Sequence, residues 1–159
     1  MEAFGDAAIH WVVVGVFAEE TIHVVTSNPG DGKSTLAAEI AYRVSRGEPF
    51  AGRATSKRPA LILNQENPRT GTVAVFFRLG IQEHADFHVC GPWQREGPPP
   101  PDAGLILSWI LKRDLKPFIV IDSVVAFNPA SENDATETRA FFHRPRKPAG
   151  MRATLVLLP

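Results

Sequence analysis

The sequence has only one cysteine in 159 residues and no excess of charge of either sign. The single cysteine, Cys90, excludes a disulfide within the chain and is typical of a reducing compartment. The 17 basic and 17 acidic residues balance, so no global positive field predicts nucleic-acid binding. The longest early apolar run, residues 11–18, is far shorter than the roughly 20 residues that cross a bilayer. The first residues also lack the basic region of a signal peptide, so we expect a cytoplasmic protein with no membrane partner.

Apolar segments alternate with helical patterns along the chain. Five segments have the composition of buried strands: 22–26, 60–64, 87–90, 118–121 and 154–158. Helices are predicted for 33–46, for a segment capped by Thr70 and ending near residue 79, for 102–113 and for 134–143. A β segment over 11–17 precedes them. The alternation predicts an α/β fold, a three-layer sandwich with a mostly parallel sheet, within a single domain of residues 1–159. In such sheets a ligand lies at the carboxyl ends of the strands.

Three of the predicted helices carry an apolar stripe that we expect to face the sheet. The stripes are Leu36, Ile40 and Val44 in the first helix, Val73, Phe76 and Phe77 in the second, and Leu105, Ile106, Trp109 and Ile110 in the third.

The stretch TSNPGDGKST, residues 26–35, joins a strand to a helix and is typical of a phosphate-binding loop. Gly30 and Gly32 permit the tight turn, Lys33 would bridge the β- and γ-phosphates of ATP, and the Ser34 hydroxyl would ligate Mg²⁺. Ser27 replaces the first glycine of the usual pattern, and we expect mild strain there. The predicted nucleotide-binding residues are Asn28, Pro29, Gly30, Asp31, Gly32, Lys33, Ser34 and Thr35.

Two acidic residues follow other predicted strands. Asp122 comes directly after the strand 118–121 and could hold Mg²⁺ opposite Ser34, although an aspartate after a strand often only caps a turn. Glu66 follows the strand 60–64 and could orient or deprotonate the attacking water. The alternative for Glu66 is a solvated loop acid. Glu132 and Asp134 are weaker candidates for the same role because they lie further beyond a strand.

Three stretches in this order resemble the motifs of RecA-like P-loop ATPases: TSNPGDGKST at 26–35, LILNQEN at 61–67, and FIVIDSVVAFNPASENDATETRAFF at 118–142. The likeness covers about residues 11–159 and is strongest to the RepA-type hexameric helicase branch. It implies a catalytic role for Glu66 and Lys33, a homo-hexameric full-length protein, and contact with single-stranded DNA.

The family continues past the fifth strand with polar sensors, further strands and an arginine finger, whereas this sequence stops at Pro159. The resemblance therefore implies a core that is incomplete at its C-terminus, with an N-terminal β segment at 11–17 and a P-loop core at 22–159. We expect weak hydrolysis and an exposed face on the fifth strand, which would favour self-association.

Two other readings of the residues stay open. A small-molecule kinase would need a lid with several arginines, and the connector 91–101 offers only Arg95. A regulatory module would bind ATP without turnover. A GTPase is disfavoured because the Asn-Lys-x-Asp guanine motif is absent from the sequence.

Overall fold

The computed structural model describes residues 8–100, 103–112, 116–127 and 152–159. The strands are Trp11–Val13 (β1), Phe17–Ala18 (β2), Ile22–Val24 (β3), Ala60–Asn64 (β4), Phe87–Cys90 (β5), Phe118–Asp122 (β6) and Thr154–Leu158 (β7). The helices are Lys33–Arg46 (α1), Arg69–Leu79 (α2) and Gly104–Lys112 (α3), with a single 3₁₀ turn at Val125–Phe127. The helix predicted at 134–143 and the cap predicted at Asp102 lie outside the described residues.

Five strands form one sheet in the order β3-β7-β6-β4-β5, and every neighbouring pair is parallel. The strands β1 and β2 form a separate antiparallel pair. The β segment predicted at 11–17 is therefore split by a turn, in which Gly15 adopts a left-handed φ of 70°.

Two apolar cores cover the two faces of the sheet. On one face the buried residues of α1, among them Ile40 and Val44, pack with Ile62, Phe118 and Val120. On the other face, α3 packs through Ile106 and Ile110 against the alternate residues of the same strands, among them Leu61, Ile119 and Leu155. Successive side chains of a strand point to opposite faces, so both layers share the same strands. The predicted α/β fold with three layers is confirmed.

The prediction of an exposed face on the fifth strand is wrong, because all five residues of β7 are buried. β7 pairs with β3 on one side and with β6 on the other. The edges of the described sheet are β3 and β5. The segment 22–26 was predicted to be a buried strand, but Ile22 and His23 are half-buried and Val24 is exposed, because β3 has a neighbour on only one side within the described residues.

The predicted helix faces are correct only in part. In α1 Ile40 and Val44 are buried, but Leu36 is exposed beside the first turn. In α2 Phe76 packs against Phe87 with ring centroids 5.8 Å apart. Phe77, one residue further around the helix, is 86% exposed.

Further corrections concern Val73, Leu105 and the cap of α2. Val73 is exposed in α2, and Leu105 is 74% exposed in α3 although Ile106 beside it is buried. Pro68, rather than Thr70, occupies the N-cap position of α2. An apolar residue in a helix is therefore not always buried, because the sequence alone does not show how much of the helix surface contacts the sheet.

Candidate nucleotide-binding site

A cavity of about 880 Å³ lies at the carboxyl ends of the parallel strands. The loop after β3, the ends of β4 and β6, and one side of α2 surround it. The size falls within the range of small-molecule sites, and the position is the one at which open α/β sheets bind ligands. The cavity brings together most of the residues that the sequence singles out: Asn28, Pro29, Gly30, Gly32, Lys33, Ser34, Thr35, Glu66 and Asp122.

Asp31 is the one predicted loop residue that does not line this cavity; it borders a shallower depression beside the start of α1. Its carboxylate accepts the backbone N–H of Asn28 at 2.9 Å, and its own N–H donates to the Asn28 carbonyl at 3.2 Å. Asp31 therefore lies within the turn, and its two hydrogen bonds with Asn28 close the loop.

The two glycines of the loop adopt conformations that side chains disfavour. Gly30 has φ 87° and Gly32 has φ 85°, both left-handed. A Cβ atom at either position would meet nothing within 4 Å, so the requirement for glycine comes from the backbone and not from crowding.

Ser27 does not show the strain that the sequence led us to expect. Among the described residues, the non-glycine residues with a positive φ do not include Ser27. Its carbonyl accepts a hydrogen bond from the Lys33 ammonium at 2.9 Å, and its hydroxyl donates to the Asn28 carbonyl at 3.2 Å. The backbone at this position therefore makes no demand that only glycine could meet.

The first turn of α1 opens toward the cavity without a competing side chain. Gly32 is the N-cap residue, it supplies no side-chain hydrogen bond, and the first turn contains no acidic residue. The N–H groups of the first turn lack partners within a helix, and the helix dipole adds partial positive charge there. Together with Lys33, this end of α1 is suited to an anion such as a phosphate.

Asp122 ends β6 directly opposite Asn64 of β4 and is only 6% exposed. Burial raises the pKa of the Asp122 carboxyl, and the nearby charge of Glu66 raises it further. Hydrogen bonding from Ser34 and the charge of Lys33 act in the opposite direction. The peptide bond between Asp122 and Ser123 is cis. Two carboxylates close together would be stabilised by a bound cation.

Asn64 and Asn67 shape the site, although the sequence reasoning missed them. Asn64 is 3% exposed, and its Oδ1 accepts the backbone N–H groups of Glu66 at 3.3 Å and Asn67 at 2.9 Å. Its Nδ2 donates to Thr72 Oγ1 at 3.1 Å. An asparagine at the end of a strand, two residues before an acid, often folds the next turn in this way, and that signal could have revealed it.

Other candidates lie away from the cavity or outside the described residues. The Trp93 ring lies against Gly91, where a Cβ atom would approach it to 2.3 Å, so it covers the end of β5. Burial raises the pKa of the Cys90 thiol. Glu132 and Asp134 lie outside the described residues. The same is true of a basic cluster that the sequence contains at 139–147.

The described residues contain no group of three or more His, Cys, Asp and Glu side chains that could hold a metal ion. None of the helices in those ranges is long and apolar enough to cross a membrane.

Two solved structures with the same fold come from archaea. A KaiC-like protein of Pyrococcus horikoshii OT3 is 20% identical over 92% of this chain, with a TM-score of 0.57. An ATP synthase subunit of Nanoarchaeum equitans is 9% identical over 89% of this chain, with a TM-score of 0.59. The chain spans 66% of the length of the first and 40% of the second. At these identities the likeness shows the fold alone.

A search of curated proteins finds no match. A model of the AAA domain family matches residues 3–157, nearly the whole chain. The described residues combine this parallel sheet with a cavity that the loop 26–35, Glu66 and Asp122 border. The chain belongs to the AAA domain family, and its α/β fold is RecA-like.

Proposed function

We propose that this chain binds Mg²⁺–ATP in the cavity at the carboxyl ends of the sheet and hydrolyses it slowly. One observation carries the proposal: the open end of α1, Lys33, Ser34 and the buried Asp122 all border the same cavity. Phosphate groups need N–H donors and a cation, and the metal that accompanies them needs hydroxyl and carboxylate oxygens.

The triphosphate would lie across the loop 27–35. Its oxygens would accept hydrogen bonds from backbone N–H groups of this loop, in which Gly30 and Gly32 line the cavity with left-handed φ. Lys33 now donates to the Ser27 carbonyl, which an exposed ammonium can exchange for a phosphate oxygen at little cost. Arg78, on α2, lines the same cavity and also the depression beside the start of α1, where it adds positive charge.

The donor set fits Mg²⁺. The Ser34 hydroxyl and the Asp122 carboxylate would hold the ion, directly or through water, together with phosphate oxygens. The small number of protein ligands agrees with the habit of Mg²⁺, which keeps several waters and relies on the substrate's phosphates. When bound, the ion supplies charge neutralisation on the phosphates and relieves the repulsion between Asp122 and Glu66.

Glu66 is the proposed general base. It lines the cavity and lies near enough to Asp122 to affect its pKa. Its role is to accept a proton from the attacking water. Within the described residues its carboxylate has no hydrogen-bond or ion-pair partner, so its orientation is not fixed by a neighbour. We therefore expect slow turnover.

The finer role rests on the resemblance to RepA-type helicases. It would make the full-length protein a cytoplasmic, DNA-associated ATPase that forms a homo-hexamer and contacts single-stranded DNA. The chain spans only part of its structural neighbours, so this role belongs to the whole protein as a proposal.

Binding without turnover is the second candidate function. The observation that favours it is that, among the described residues, the Glu66 carboxylate has no hydrogen-bond or ion-pair partner that would orient it toward an attacking water. Such a domain would act as a nucleotide-responsive regulatory module.

Steady-state phosphate release distinguishes the two functions. We expect wild-type turnover below about one per second, the lower end of ordinary enzymes. Glu66→Gln should keep ATP binding and lose hydrolysis, because an amide does not accept the proton. If Glu66→Gln and the wild type release phosphate equally fast, Glu66 is not the base. A wild type that binds ATP and releases none would favour the regulatory module. Adding single-stranded DNA to the same assay tests the helicase-type role.

A further inference from the structure

A side-chain amide connects the loop that carries Glu66 to the carboxylate proposed to hold the metal. Asn67 Nδ2 donates to Asp122 Oδ2 at 3.1 Å, across 55 positions of sequence. One oxygen of Asp122 is therefore already engaged by the protein, on the side of the carboxylate that faces β4.

Asn67 is itself held in place by a buried partner. Asn64 accepts the Asn67 backbone N–H at 2.9 Å and donates to the Asn67 carbonyl at 3.1 Å. The Asn67 amide also approaches Asn64 Oδ1 at 3.4 Å. Because Asn64 is almost fully buried, these contacts fix the backbone and the side chain of Asn67 together.

The main chain makes a second link between the same two strand ends. The Gln65 N–H donates to the Asp122 carbonyl at 2.7 Å, and Asn64 pairs with Asp122 in the parallel register. The loop that begins at Gln65 therefore cannot shift away from β6 without breaking both the main-chain and the side-chain contacts.

We propose that Asn67 is a positioning residue that orients the Asp122 carboxylate for Mg²⁺ and fixes the Glu66 loop against the metal site. With Oδ2 held by Asn67, the other oxygen of Asp122 would remain available to the cation. The inference rests on the proposed function, since it concerns the cation that accompanies ATP. Groups that orient a metal ligand affect metal affinity without touching the metal.

The test measures the Mg²⁺ concentration at half-saturation for binding of a fluorescent, non-hydrolysable ATP analogue. Asn67→Ala removes the amide at a half-buried position and should raise this concentration about tenfold or more. Asn67→Asp places a second carboxylate beside the cation, so its half-saturation should fall below that of Asn67→Ala, and the gap should shrink in high salt. Gln65→Ala is the matched control, because the Gln65 side chain is exposed in the same loop.

Each outcome decides the matter. An Mg²⁺ dependence that is unchanged in Asn67→Ala would overturn the inference and leave the proposed function intact, and Asn67 would then serve only the stability of the loop. A half-saturation raised equally in the alanine and aspartate variants would support the positioning role, since neither side chain can donate to Asp122 Oδ2. A wild type that does not bind the analogue would overturn the proposed function and the inference together.

Discussion

At the residue scale, the phosphate loop shows which positions require glycine. Gly30 and Gly32 have positive φ, whereas Ser27 does not. The usual sequence pattern has a glycine at position 27. In this chain Ser27 occupies it, and the Ser27 hydroxyl makes one exposed hydrogen bond, to the Asn28 carbonyl.

Gly32→Ala and Ser27→Ala should therefore behave differently. Forcing alanine into the left-handed region costs about 1–2 kcal/mol, so Gly32→Ala should lower the free energy of unfolding by that amount and weaken ATP binding. Ser27→Ala should change it by less than about 0.5 kcal/mol and leave ATP affinity nearly unchanged. Urea unfolding and equilibrium binding of a fluorescent ATP analogue measure both quantities. A larger loss in Ser27→Ala than in Gly32→Ala would contradict this reading of the loop.

At the element scale, the sequence reveals which segments are strands and helices better than it reveals their environment. The alternation of apolar strands and amphipathic helices predicted the parallel sheet and both of its covering layers, because burial on two faces requires nearly continuous apolar strands. It did not reveal that β3 is an edge strand or that Phe77 is exposed, because the pairing of strands far apart in the sequence decides both.

The candidate site could likewise be predicted from the sequence only in part. Lys33, Ser34, Glu66 and Asp122 follow strands or open a helix, and parallel strands bring such positions to one edge of the sheet. Their catalytic and binding roles stay predictions. The contact between Asn67 and Asp122 could not be predicted, since it depends on the geometry of one turn after β4.

A charged cluster connects the segment after β2 to the amino ends of the sheet strands. Arg58 is buried and donates to Glu19 Oε1 at 2.7 Å, and Lys116 approaches Glu19 Oε2 at 3.3 Å. Burial alone would raise the pKa of Glu19, but the hydrogen bonds and charges of Arg58 and Lys116 together lower it. A lowered pKa in the folded state means that Glu19 stabilises the fold above its unfolded pKa of about 4.3, and that this contribution is lost as the pH falls through the folded value.

Glu19→Gln should therefore destabilise the protein by about 1–3 kcal/mol at pH 7, because it leaves the Arg58 charge poorly paired. The Nη1 atom of Arg58 is buried and has no hydrogen-bond partner among the described residues, so little compensation is available. The difference from the wild type should shrink between about pH 5 and pH 3. Glu39→Gln, in an exposed i,i+4 pair of α1, is the control and should cost less than about 0.5 kcal/mol. A pH-independent difference would show that Glu19 acts through packing and not through its charge.

At the scale of the whole molecule, one sheet organises both stability and function. The charged cluster of Glu19, Arg58 and Lys116 lies at the amino ends of its strands. The carboxyl ends of its strands bring together the groups proposed to bind the ligand: the open end of α1, Lys33, the exposed carboxylate of Glu66 and the buried carboxylate of Asp122, whose pKa is raised by burial. We therefore expect acid to weaken the contacts at the amino ends of the strands, and Mg²⁺–ATP to stabilise the structure at their carboxyl ends.

The most direct test of Mg²⁺–ATP binding is the thermal stability of the purified chain with and without the ligand. A ligand at 100 times its Kd that binds only the folded state adds about 2.7 kcal/mol of stability. For a domain of this size that corresponds to a rise in Tm of roughly 5 °C or more. Lys33→Ala should lose most of that rise while keeping nearly the same Tm without ligand, because among the described residues the Lys33 ammonium donates a hydrogen bond only to the exposed Ser27 carbonyl of its own loop. Equal increases in Tm for the wild type and Lys33→Ala, or none in the wild type, would contradict the assignment of the cavity as a Mg²⁺–ATP site.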